Sequence, residues 1–421
     1  MPTRRQLLGS AGAAVASSLA GCVASPRASG TVELDPLAST PLDEFAATQF
    51  RLGLRNRGYV DATVPDRVRV DWSLSANRGD HTAAKATPVA VGDRGDRGDR
   101  GDRGDRGAPD VLVADDAGRL RRVGPGKEVR WTATVEAGTK GFHGTPAVAN
   151  GTAYVGAYDG ACYAFDAATG ERLWRTQLGQ AIGASPTYYN GLCYVAVEHP
   201  DPSGSVVALD AATGDVRWID RRPTDRPHST VALARNAGRL VVGANDGICY
   251  AWTFPGFERA WTFETGGPIK GPVAVADGLA VFGSWDGRVY GVRLDDGGEA
   301  WSFAAGADVM GGAAVDPGGT VYVGSHDGHL YALDGTDGRE LWRFDAGGAL
   351  IGSVTATRNR VLVGSYDRRL YAVDAATGRE AWHAAGRGHA TSAALVTDDA
   401  VYYAERAGEA GPGRVYRLVA A

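Results

Sequence analysis

SHDGHLYALDGTDGRELW, residues 325–342, holds two strand-like runs, a turn rich in Asp and Gly, and a closing tryptophan. Near copies stand at AYDGACYAFDAATGERLW (157–174) and SYDRRLYAVDAATGREAW (365–382). Aligning the chain on the tryptophan after each turn gives Trp72, Trp131, Trp174, Trp218, Trp261, Trp301, Trp342 and Trp382. From Trp131 onward the spacings are 43, 44, 43, 40, 41 and 40 residues. The first spacing, 59, contains the insert GDRGDRGDRGDRGDR at 92–106, and without those 15 residues it is 44. Within one unit, runs of four to seven residues rich in Tyr, Val and Phe are divided by Asn-Gly and Asp-Gly, as in Asn150-Gly151 and Asp159-Gly160. These are hairpin signals.

A four-stranded meander repeated about every 40–45 residues cannot bury both faces alone, and stacking such sheets around an axis buries them. The expected fold is therefore all-β, an eight-bladed β-propeller of four-stranded antiparallel blades. The stretch after Trp382 ends at YRLVAA, before an outer strand and its tryptophan, while Asp66 to Trp72 (DRVRVDW) supplies such a strand with no blade before it. The last blade is thus expected to be completed by an N-terminal strand, which also removes exposed sheet edges.

The repeated string Ala164 to Trp174 recurs at 208–218, 332–342 and 372–382. Its Asp and Thr can bond backbone amides, its Gly accepts positive φ, and its Ala leaves room for an indole from a neighbouring blade. Burying each indole removes about 150–250 Å² from water, which assigns the eight tryptophans to blade docking. Two units depart from the pattern: Thr253 and Phe257 stand where Asp and Gly are expected, and Arg293 replaces Asp. Those joints are expected to be weaker or differently packed. The Asp-Gly aspartates Asp159, Asp246, Asp286 and Asp327 read as turn formers.

The N-terminus, MPTRRQLLGSAGAAVASSLAGC, reads as a twin-arginine export signal with Arg4 and Arg5 and an uncharged stretch too short to span a bilayer. Leu19-Ala20-Gly21-Cys22 resembles a lipobox, which would make Cys22 the lipidated first residue of the exported chain; an uncleaved signal anchor is the alternative. The domains expected are a signal at 1–22, a flexible linker at 23–43 and the propeller at 44–421, with the GDR tract as a solvated loop. The expected location is the outer face of the cytoplasmic membrane, held there by lipid only.

A net charge of −5 gives no footprint for nucleic acid. Cys162, Cys193 and Cys249, odd in number and without CxxC spacing, argue against disulfides or zinc and read as small buried hydrophobes. The eight histidines show no metalloprotease spacing and no GxSxG elbow occurs, so no catalytic residue is assigned.

The string AxDxxTGxxxW, preceded by YVGSxDGxLYALD, resembles the repeat of the pyrroloquinoline-quinone-like eight-bladed propeller superfamily over about residues 44–421. Gln49-Phe50-Arg51 and Asn56-Arg57-Gly58-Tyr59 are similar to the stretch that precedes the first outer strand in such proteins. One branch holds quinoprotein dehydrogenases, with the quinone and calcium on the axis; the other holds non-catalytic lipoproteins that bind partner proteins. The dehydrogenases carry an adjacent Cys-Cys pair that is absent here, and their calcium and catalytic residues match no positions of this chain. The resemblance implies a monomeric, lipid-anchored scaffold that binds a protein partner at its rim or top face, or a ligand, without a cofactor or metal; a dehydrogenase with quinone and calcium is the alternative. It also implies that segments before each inner strand face the channel. They hold His143, His228, Lys270 and His389, with Met310, a set open to an anionic or metal ligand or to channel water alone.

Overall fold

The computed structural model describes residues 47–78, 86–91, 108–137 and 140–421. Arg4, Arg5, Cys22, the 23–43 linker and the GDR tract lie outside the described residues.

Eight antiparallel sheets form the wheel. Blades 1 to 7 span 89–134, 147–177, 187–220, 232–264, 274–304, 314–345 and 355–385. Blade 8 runs Leu395–Val396, Val401–Ala404, Arg414–Ala420 and then Val68–Ser75, so an N-terminal strand completes the last sheet. The pairing runs from Val68 opposite Ala420 to Ser75 opposite Arg414. Within each blade the inner strand leaves the channel end and the chain zigzags outward, closing on the strand that carries the tryptophan.

Seven of the eight indoles donate a hydrogen bond to a backbone carbonyl of the adjoining turn. Trp131 reaches Ala167, Trp301 reaches Gly335, Trp72 reaches Pro125 and Trp382 reaches Pro65, at 2.7–3.2 Å; Trp174, Trp261 and Trp342 do the same. Trp72, Trp218, Trp261, Trp301 and Trp382 are buried, while Trp131, Trp174 and Trp342 are half-buried. The room left by Ala164 serves its own blade: it stands opposite Trp174 across the strand pair, where the register shifts. The neighbour's indole instead rests on the turn glycine. A Cβ on Gly338 would lie 2.7 Å from Trp301, and its φ is +75°. Strained backbone and a displaced ring act together here, so Gly338→Ala is expected to lower stability by about 1–3 kcal/mol, read as a shifted urea midpoint.

The two divergent units behave differently from each other. In blade 4 Phe257 adopts φ +56° at the glycine position, and its ring stacks on Trp218 with centroids 4.8 Å apart. Trp252 meets Trp218 edge-on at 6.0 Å and donates to Asp220 at 2.9 Å. That joint is differently packed. The blade 5 joint is packed like the rest: Gly297 is retained under Trp261, and Arg293 is absorbed by Asp296 at 3.1 Å. Losing an aspartate while keeping the glycine leaves the contact intact.

The Asp-Gly aspartates are turn formers with a second bond. Asp327 accepts from the His329 amide at 2.8 Å, from the Tyr331 hydroxyl at 2.6 Å and, across the joint, from the Gly306 amide at 2.8 Å. Asp159, Asp246 and Asp286 likewise accept from a tyrosine four residues on. The three cysteines are buried and unbridged.

Two sheets carry a fifth strand, which the repeat alone does not announce. Ala47–Thr48 pairs antiparallel with the inner strand of blade 2, and Tyr59–Val60 pairs parallel with that of blade 7. Between them the chain crosses the channel. The carbonyls of Leu54, Arg55, Arg57 and Gly58 accept from Leu233, Val275, Val315 and Ala356, one inner strand each from blades 4 to 7. Gln49 accepts from the Tyr188 amide of blade 3 through its side chain, at 2.8 Å. Arg51 lies at the hub and donates to the carbonyls of Asn56 (2.7 Å), Gly312 (3.1 Å), Val354 (3.2 Å) and Ala313. Gly58, at φ +61°, has no space for a Cβ because the Arg51 guanidinium occupies it.

Candidate functional site

The crossing segment turns the channel into a blind funnel. A cavity of about 450 Å³ lies at the end where the inner strands begin, with Phe50 of the crossing segment in its lining. Because the blades repeat the same geometry, two equivalent positions of several units reach this space. The first is four residues before the inner strand begins: His143, His228, Lys270, Met310, Ile351 and Thr391 occupy it. The second immediately precedes the Asp-Gly turn or its equivalent, and places Tyr158, Glu198, Trp285, His326 and Tyr366 around the mouth.

The structure thus brings His143, His228 and Lys270 together with Met310. His389 is excluded from the ring. It precedes the lining residue Thr391 by two positions, and its ring stacks behind Tyr366 with centroids 4.5 Å apart. The shift arises because blade 8 carries Ala390-Thr391 where blade 2 has Phe142-His143. The second ring is absent from the sequence expectations, although its signal is visible: these units agree at Ser-x-Asp and differ at x, which is Trp285, His326 or Tyr366 in successive blades.

Charge is unevenly distributed around the funnel. Lys140, Arg226 and Lys270 line the arc of blades 2 to 5. The Lys270 ammonium sits 3.7 Å above the Trp285 ring centroid, and Lys140 faces the Tyr158 ring at 5.1 Å. Burial pulls the Lys270 pKa below its ordinary value, opposed by Asp225, Glu198 and Asp308 at a distance. Glu198 is the one carboxylate in the lining. Burial pushes it up to about 7 against the pull of Arg226 and Lys140, and its Oε1 stands 3.2 Å from His228 Nδ1. On the remaining arc Met310, Ile351 and Ala393 stand among Ser353, Tyr366 and Thr391.

A second buried glutamate, Glu405, sits beneath the blade 8 loop and is also pushed up to about 7, mainly by burial. The folded chain therefore retains these two protons between the ordinary carboxyl range and about pH 7, where an unfolded chain has released them. Stability falls as pH rises through that window. Glu405→Gln keeps the shape and removes one of the two titrations, so it is expected to reduce the decline between about pH 5 and pH 7 by about 1–3 kcal/mol, seen as a melting temperature that falls less steeply with pH than the parent's.

Calcium takes about 6–8 oxygen ligands. The lining supplies the single carboxylate Glu198, and among the described residues no group of three or more His, Cys, Asp or Glu side chains could hold a metal ion.

A family model, PQQ_2, described as outer membrane protein assembly factor BamB, matches residues 116–252 and 285–418. Over 169 residues the chain is 28% identical to the outer membrane protein assembly factor BamB of Bordetella pertussis, covering 38% of this chain and 42% of that protein. Over 117 residues it is 31% identical to the polyvinylalcohol dehydrogenase of a Sphingopyxis species, covering 24% and 17%. The chain therefore spans less than half the length of the curated relatives it matches. Among solved structures, the quinohemoprotein alcohol dehydrogenase of Comamonas testosteroni superposes with a TM-score of 0.72 at 15% identity, over 91% of this chain and 82% of that one. BamB of Moraxella catarrhalis gives 0.63 at 18% identity, over 83% and 100%. At such identities the structures share a fold.

Proposed function

The chain belongs to the PQQ_2 family of β-propellers, and we propose from this that it is an extracytoplasmic scaffold, anchored by lipid on Cys22 at the outer face of the cytoplasmic membrane, that binds a protein partner without catalysing a reaction. The observation that carries this reading is the donor set of the funnel. A quinone with calcium needs several oxygen ligands, and the wall offers Glu198 as its one carboxylate, pushed up to about 7 by burial and facing His228. The residues present do not fit that pair, and no step is derived through it. An assembly factor among the named relatives supports the partner-binding half of the proposal. Rigid blades locked by indoles would present the loops on a fixed frame.

The test has two arms. Purified protein is mixed with the quinone and calcium, then passed through a desalting column; retained quinone absorbance overturns the scaffold reading. In membranes, chemical cross-linking of the tagged chain should yield one stoichiometric adduct, and Cys22→Ala should release the chain to the soluble fraction. Release without loss of the adduct separates anchoring from partner binding.

A further inference from the structure

The funnel gathers three cations, Lys140, Arg226 and Lys270, around a single lining carboxylate, Glu198. Lys270 is half-buried above Trp285, and its ammonium has no hydrogen-bond acceptor or ion-pair partner among the described residues. Arg226 lines the same wall with its buried Nε lacking a partner. Lys140 faces the Tyr158 ring at 5.1 Å. The nearby acids are engaged elsewhere or lie too far: Asp225 accepts from the Arg226 backbone amide at 2.7 Å, and Asp308 stands 4.0 Å from His326. Removing a cation from water without a full counter-charge is unfavourable, so the half-buried Lys270 and Arg226, with the exposed Lys140 beside them, make this concave space a receptor for negative charge. On the other arc Met310, Ile351 and Ala393 offer apolar contact. The volume lies within the range of small-molecule pockets, about 300–1,000 Å³.

We propose that the funnel binds a small amphipathic organic anion, whose carboxylate or phosphate head is held by Arg226, Lys270 and Lys140 and whose compact apolar body rests on Met310 and Ile351. Glu198 and His228 lie beside the head, 3.2 Å apart, and burial favours the neutral form of the carboxyl. The site is separate from any partner-binding surface on the rim.

The test is isothermal titration of the full exported chain with benzoate and with phenyl phosphate, and with inorganic phosphate and benzyl alcohol as the separated halves. At least one whole probe should bind with Kd below about 1 mM, and each half about tenfold more weakly. Benzoate alone binding assigns a carboxylate head; phenyl phosphate alone assigns a phosphate. The double variant Arg226→Gln, Lys270→Gln should lose about tenfold or more in affinity, while the exposed-turn variant Lys127→Gln should match the parent. Failure of both whole probes, equal binding by inorganic phosphate, or unchanged affinity in the double variant overturns the proposal. Melting of the same samples verifies that each variant is folded.

Discussion

Arg51→Ala is expected to lower the free energy of unfolding by about 3–5 kcal/mol, the largest loss for any single substitution in the wheel. The guanidinium is 6% exposed and joins three parts of the structure: its own segment through Asn56, blade 6 through Gly312 and Ala313, and blade 7 through Val354. Burial draws its pKa down to about 9, so it remains a cation at neutral pH and its bonds to carbonyl dipoles are charge-assisted. Alanine would leave those carbonyls dry and without donors. Lysine would keep the charge but lacks the planar fork, and should restore only part of the loss. Urea titration resolves this: the midpoint should fall with the slope nearly unchanged. A midpoint within error of the parent would mean that the hub is held by the backbone bonds alone.

Deleting residues 66–76 should have a still broader effect, driving the chain into aggregates. The strand Val68–Ser75 is the outer edge of blade 8, and its removal exposes the edge of Arg414–Ala420 along seven paired positions. It also removes Trp72 from the blade 1 turn, the Asp71 partner of Arg417, and Asp66 from its 2.5 Å ion pair with Arg360 of blade 7. An uncovered edge templates intermolecular pairing. Size-exclusion chromatography should show aggregate in place of the species the parent forms. A monomeric deletion variant with parent-like melting would show that the other seven joints suffice.

The sequence carries the wheel in local terms, which is why it is readable there. Each unit states its own turns, because Asp, Gly and Tyr at fixed offsets satisfy one another within a few residues, as Asp327 and Tyr331 do. The closing strand is readable for the same reason, as half a unit at each end of the chain. The hub is not. Arg51 finds its acceptors 261 to 303 residues away, and nothing in Gln49-Phe50-Arg51 names them. The funnel is legible only halfway: His143, His228 and Lys270 hold equivalent places in their units, but His389 is two residues out of phase, which matters in loops where no hairpin fixes the register. Phe257 shows the opposite case, an aromatic ring taking over where the expected glycine is missing.

One consequence of the strand polarity concerns orientation. Ala47 faces Ala149, at the far end of the inner strand of blade 2 from the funnel, and Ala420 faces Val68 at that same side. The described chain thus enters and leaves on the underside of the disc. A leash running from Ala47 to a bilayer would turn the open cup outward, toward freely diffusing solutes, and leave the hairpin tips Asn150-Gly151 and Asn190-Gly191 looking down at the lipid headgroups.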